Sequence, residues 1–201
     1  MEAVFPTTYF GSIAYFKELA KYDSIYLEAH ENFLKQTYRN RCEILTGNGL
    51  LSLSIPVIRP KGSHTPIREV QLPSKENWRI RHWRSIKSAY QSAPYFDYYG
   101  IEIEELLNND DDHLYSYNLN ITKRILSWLD LDIQILETEE FAAQRENDYR
   151  DWLIGKSGKF QIQRAPYIQV FPGEDHYHER ISILDAILCQ GPLARNLILP
   201  R

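Results

Sequence analysis

Sulfur is scarce in this chain: 201 residues carry two cysteines and one methionine. Cys42 and Cys189 lie far apart, in apolar or strand-like surroundings and without metal-type spacing, so both read as buried free thiols. That excludes a disulfide framework and points to a reducing compartment. No apolar run is long enough to span a bilayer. The opening Met1-Glu2-Ala3-Val4-Phe5-Pro6 has neither the basic nor the apolar region of a secretory leader, so the cytoplasm is the expected location. A formal charge of −4 argues against a protein held on nucleic acid by net charge. The sequence also lacks G-x-G-x-x-G, the phosphate-cradling G-x-x-x-x-G-K-[ST], the G-x-S-x-G elbow and H-E-x-x-H. Gly155-Lys156-Ser157-Gly158-Lys159 wants the upstream glycine and strand of a phosphate loop. The common nucleotide and serine hydrolases are thereby disfavoured, and no cofactor is named.

What is present is a globular composition, 43% hydrophobic and 25% charged, rich in aromatics with fourteen tyrosines. Tyrosine joins an apolar body to a polar tip and suits half-buried walls and cleft rims. No linker or repeat divides the chain, so residues 1–201 read as a single α/β domain. Ala3-Val4-Phe5 opens as a strand. Ile13, Phe16 and Ala20 then fall at helical spacing within 11–21, and residues 23–28 form a second strand, giving a βαβ unit. Residues 41–45 and 50–57 flank Thr46-Gly47-Asn48-Gly49, a hairpin signal, with Leu51, Leu53, Ile55 and Val57 alternating onto one face. A strand is expected at 67–72. A helix from Lys75 presents Ile80, Trp83, Ile86 and Tyr90, and Pro94 closes it. A further helix over 119–129 leads into an alternating strand at 131–136. Residues 139–164 read as a surface helix and mobile loop, with order returning at Tyr167–Phe171. Ser182 and Asp185 have the spacing of a capping box, and Gly191-Pro192 stops the last helix. The expected architecture is a three-layer-like mixed sheet with flanking helices.

Three polar clusters can carry chemistry. The first runs from His30 to Arg41, directly after the second strand, where open α/β sheets gather their ligands. His30 is a proton donor or acceptor near neutral pH and Glu31 can orient it or act as a base. Lys35, Arg39 and Arg41 supply donors for a phosphate or carboxylate, beside Tyr38 and Asn40. Arg39 and Arg41 are expected to share one face of an extended strand, with Glu31 as internal partner and the Cys42 face toward the core. Were the segment helical, Glu31, Lys35 and Arg39 would form an ordinary surface ladder instead. The second cluster is Asn77-Trp78-Arg79 with His82 and Trp83: aromatic faces among cations suit a base or sugar, or else an amphipathic helix. The third is His176-Tyr177-His178, which has no third ligand at diagnostic spacing, so no metal site is assigned.

Several stretches together resemble the WbqC-like family in the form common among Bacteroidetes. They are Pro6-Thr7-Thr8-Tyr9-Phe10; Glu28-Ala29-His30-Glu31 with Lys35-Gln36-Thr37-Tyr38-Arg39-Asn40-Arg41-Cys42; Asn77-Trp78-Arg79 with His82-Trp83; and Tyr167-Ile168-Gln169-Val170-Phe171 with Ser182-Ile183-Leu184-Asp185. Many relatives read Gln-Pro-x-Tyr-Leu-Pro at the opening and end the second strand in Asp residues, where this chain has Phe5-Pro6-Thr7-Thr8-Tyr9 and Glu28-Ala29-His30-Glu31. The resemblance implies a link to surface-polysaccharide gene clusters and a glycine-transfer role in decorating O-antigen sugars. The opening strand, turn and helix also look like the start of nucleotidyltransferase-type folds.

The resulting expectation is a transferase acting on a nucleotide- or lipid-linked amino sugar, with a sugar nucleotide or phosphorylated small molecule as partner. His30 and Glu31 would move protons. Tyr9, Lys35, Tyr38, Arg39, Asn40, Arg41, Asn77, Trp78 and His82 would bind substrate, with Trp78 and Tyr9 walling the sugar. The rival is a non-catalytic module that binds a partner protein or carbohydrate through an aromatic surface.

Overall fold

In the computed structural model, residues 3–74, 77–142, 146–151, 166–171 and 180–199 are described. Strand β1 (Val4–Phe5) leads through helix α1 (Ile13–Leu19) to β2 (Ser24–Leu27), which pairs in parallel with β1. Strand β5 (Gln134–Glu137) lies on the other side of β2, also parallel, so the sheet runs β1-β2-β5. Asp148 adds a parallel bridge to the free side of β1. Helix α1 starts where Ser12 Oγ accepts the Tyr15 amide at 3.2 Å, and it buries Ile13, Tyr15, Phe16 and Leu19. That apolar face joins the βαβ unit to the core.

The hairpin is a separate antiparallel sheet rather than part of a mixed one: β3 (Arg41–Thr46) with β4 (Gly49–Ser54). Register pairs Thr46 with Gly49, and Gly49 takes the positive φ of 94° that the turn demands. The buried face of the second arm is narrower than the alternation implied. Leu53 and Ile55 are inside, whereas Leu51 is 38% exposed.

Helix α2 spans Trp78–Tyr90 and buries Trp78, His82, Ile86, Ala89 and Tyr90. The expected face was rotated: Ile80 is exposed, and Trp83 is half-buried against Phe96. The stripe through Trp78 and His82 faces inward, where Trp78 packs edge-on against Tyr117. Helix α3 (Phe96–Leu107) was not foreseen from its run of aromatics around Gly100. Helix α4 (Leu114–Trp128) begins earlier than the expected 119. Residues 67–72 are not a strand, because Ile67–Glu69 make a 3-10 turn after Pro66 and only Gln71 bridges, to Ile58 and His113. Strand β5 sits later than 131–136.

Helix α5 (Ile183–Gln190) is capped by Ser182 Oγ, which accepts the Leu184 amide. Asp185 does not complete a capping box. It turns inward, and the Ser182 amide goes instead to Glu43 O at 2.7 Å. A short α6 (Arg195–Ile198) packs on α1. Tyr167–Phe171 is not a regular strand, but Tyr167, Val170 and Phe171 pack on the core. Most of the surface helix and loop expected over 139–164, together with His176 and His178, falls outside the described residues. Both cysteines are free and buried. Among the described residues no helix is long and apolar enough to cross a membrane.

Candidate functional site at the carboxyl edge of the parallel sheet

The carboxyl ends of β1, β2 and β5 share one edge of the sheet, and charged residues converge there. Glu28, immediately after β2, is fully buried. Its Oε1 accepts the Thr138 hydroxyl at 2.9 Å and the His30 amide at 2.8 Å. Its Oε2 accepts Arg150 Nη1 at 2.9 Å. Arg150 also binds Asp148 through Nε and donates Nη2 to Ala142 O at 2.7 Å, with its guanidinium over the Phe141 ring. A buried carboxylate keeps its charge only when paired in this way.

Glu31 is buried as well and is gripped by both prongs of Arg39, Nε to Oε1 and Nη2 to Oε2, each at 2.6 Å. Burial pushes the Glu31 carboxyl up, and Arg39 opposes that shift only in part. Arg39 itself is 2% exposed, and Asn118 Nδ2 from α4 donates to its carbonyl. The expected internal pairing of Arg39 with Glu31 is therefore present. The expected side-by-side display of Arg39 and Arg41 is not. Residues 37–40 are turns, so β3 begins only at Arg41 and the alternation cannot extend back to Arg39. Arg41 is half-exposed and donates Nε to Ser54 Oγ at 3.1 Å.

His30 and Lys35 are exposed in the loop above this frame. That loop is not helical, so no surface ladder forms. Tyr38 is buried, and its hydroxyl accepts Arg180 Nε at 2.9 Å. Asn40 is spent on the hairpin through Ile55 O, at 2.8 Å. Asn77 is exposed at the start of α2.

Tyr9, Trp78 and His82 come together, but inside the core. Tyr9 and Trp78 have no exposed surface, and the Tyr9 hydroxyl meets His82 Nδ1 at 2.8 Å. Their rings leave no open face for a sugar, so the expected aromatic wall is a packing knot with Tyr117. Burial lowers the His82 pKa to about 4, so the ring is neutral at physiological pH.

Sequence reasoning missed Arg150, Asp148 and Thr138, which complete the frame from far along the chain. It also missed a buried oxygen that has no hydrogen-bond partner among the described residues, Thr7 Oγ1 after β1. Elsewhere, an open groove of about 510 Å³ runs between α3 and α4, lined by Glu102, Glu105, Lys123 and Arg124. It contains none of the residues singled out from the sequence.

The model of the WbqC-like protein family matches residues 7–164, a span that holds the turn after β1, the Glu28–Arg41 loop and Arg150. The chain belongs to the WbqC-like family. A curated relative is the uncharacterized protein Rv1507c of Mycobacterium tuberculosis, 32% identical over 88 residues. That match covers 44% of this chain and 35% of the relative, so the aligned part spans about a third of the relative's length. No solved structure matches. Within the WbqC-like match, the charged frame is the feature that most resembles a site: polar groups of several elements, brought to one sheet edge.

Proposed function

We propose that this WbqC-like protein is a transferase acting on a nucleotide- or lipid-linked amino sugar in surface-polysaccharide biosynthesis of the O-antigen type, with an aminoacyl group such as glycine as the cargo. The observation that carries the reading is His30. Its amide is fixed on buried Glu28 while its side chain stands exposed at the carboxyl edge of a parallel sheet. That is where open α/β sheets bind ligands. A histidine held by its backbone but open to solvent is placed to take a proton from an incoming amine or hydroxyl.

Arg39 and Arg150 hold the frame, because their guanidinium groups are already committed to Glu31, Glu28 and Asp148. Phosphate binding falls instead to Lys35 and Arg41. Among the described residues neither has a carboxylate within ion-pair distance, and both lie in or next to the same loop. Glu31 acts by positioning that loop. It is buried with Arg39, and its carbonyl accepts the Ile67 amide at 2.9 Å.

Calorimetric titration with a panel of UDP- and dTDP-sugars tests the reading. Binding at sub-millimolar concentration is expected. Folded protein that binds none of them at millimolar ligand refutes it and favours the non-catalytic module.

A further inference from the structure

We infer that the outer faces of α2 and α3 form a self-complementary docking surface for a second copy of this chain, with α2 of each copy laid antiparallel on α3 of the other. The two helices follow one another and pack together through Trp83, whose ring stacks on Phe96 at 5.9 Å. Their charges are sorted by sign. The charged residues of α2 are all cations, Arg79, Arg81, Arg84 and Lys87, and those of α3 are all anions, Asp97, Glu102, Glu104 and Glu105.

Most of that charge is unspent. Arg79 is taken up by the carbonyls of Asn109 and Asp111, and Glu102 by Arg124 and Trp128. Arg81, Arg84 and Lys87, with Asp97, Glu104 and Glu105, are exposed and form no ion pair among the described residues. The helix dipoles make this placement unfavourable for a single copy. Arg79 and Arg81 stand at the positive amino end of α2, and Glu104 and Glu105 at the negative carboxyl end of α3. Large apolar side chains lie among the charges: Ile80 is exposed on α2, and Tyr98 and Ile101 on α3 are 70% and 66% exposed. On each helix the exposed positions recur every three or four residues, which makes one continuous outward stripe.

An antiparallel approach satisfies the order of the charges. The helices are 13 and 12 residues long, so each covers the other. Arg81 at the start of α2 then meets Glu104 and Glu105 at the end of the second copy's α3, and Lys87 near the end of α2 meets Asp97 at its start. Arg84 falls opposite Tyr98 and Ile101, where its apolar stem and its guanidinium both find a partner. A two-fold axis repeats the contact with the roles exchanged, so association closes at two copies. A different partner would have to carry both a basic and an acidic helix face, and a second copy has them already. The inference stands apart from the sugar reading.

Sedimentation velocity of the full chain over a series of protein and salt concentrations is the test. Two paired reversals accompany wild type: Arg81→Glu with Arg84→Glu, and Glu104→Lys with Glu105→Lys. Wild type should dimerise, with association weakening by roughly tenfold between about 0.05 M and 0.5 M salt. Each paired reversal sets like charges against each other and should weaken association by roughly tenfold or more. An equimolar mixture of the two variants should recover it, because the reversed α2 of one faces the reversed α3 of the other. All four residues are exposed, circular dichroism checks that the variants fold, and the salt series reads the same claim without any substitution. Wild type that stays monomeric at high micromolar concentration overturns the inference and leaves the surface to another partner. A dimer indifferent to salt and to both reversals, or a mixture no better associated than its components, overturns it as well.

Discussion

Arg39 and Glu31 meet as two parallel forks, each contact 2.6 Å long, at a point where neither side chain reaches solvent. The pair closes the loop between residues 31 and 39 and holds it against α4 through Asn118. Removing one partner leaves the other charge buried and alone. Arg39→Ala should therefore cost about 3–5 kcal/mol of stability. Urea unfolding measures it. A loss under about 1 kcal/mol would mean that the pair does not organise the loop.

His82 makes stability depend on pH in a defined direction. Its folded pKa of about 4 lies below the ordinary histidine value of 6.5, so the unfolded chain binds the proton first. Its contribution is complete above about 6.5 and disappears as pH falls through 4. The lowered pKa corresponds to about 3 kcal/mol. In His82→Gln the decline of stability between those two pH values should flatten. An acid limb of unchanged slope would show that His82 is not the buried, neutral partner of Tyr9.

Asp185 gathers Tyr90 at 3.0 Å, Tyr167 at 2.6 Å and Gln169 at 2.8 Å, all as donors. Burial pushes its carboxyl up while those donors hold it down. In Asp185→Asn one acceptor oxygen becomes an NH₂ group facing donors. A loss of about 1–3 kcal/mol is expected in thermal melts. A neutral substitution would contradict the three-donor geometry.

Much of the fold was legible because local signals agreed with tertiary demands. The Gly47-Asn48-Gly49 turn and the Ser182 cap each bound an element where composition says it should be bounded. The failures share a cause: which helix face is buried depends on partners distant in sequence. On α2, Ile80 fits the apolar period as well as Trp78 does, and only Tyr9 and Tyr117 decide for Trp78. The site follows the same logic. Placing His30 and Glu31 after β2 required only the βαβ pattern. Arg150, 122 residues beyond Glu28, carries no local mark of its role.

Gly191 follows α5 with φ of 56°, and a Cβ there would stand 2.4 Å from the Tyr95 ring. Both the left-handed backbone and the overlap oppose any side chain. Gly191→Ala should lower stability by at least the roughly 1–3 kcal/mol of such backbone strain. A variant as stable as wild type would show that the α5 terminus is free to rearrange.

The central claim is that ligand binds at the carboxyl edge of the parallel sheet. Amide chemical-shift mapping during titration with a UDP-sugar tests it most directly. The account predicts the largest shifts at Ala29, His30, Glu31, Lys35 and Thr138, with Trp78 and His82 unmoved. Shifts confined to Glu102, Lys123 and Arg124 in the α3–α4 groove would contradict it.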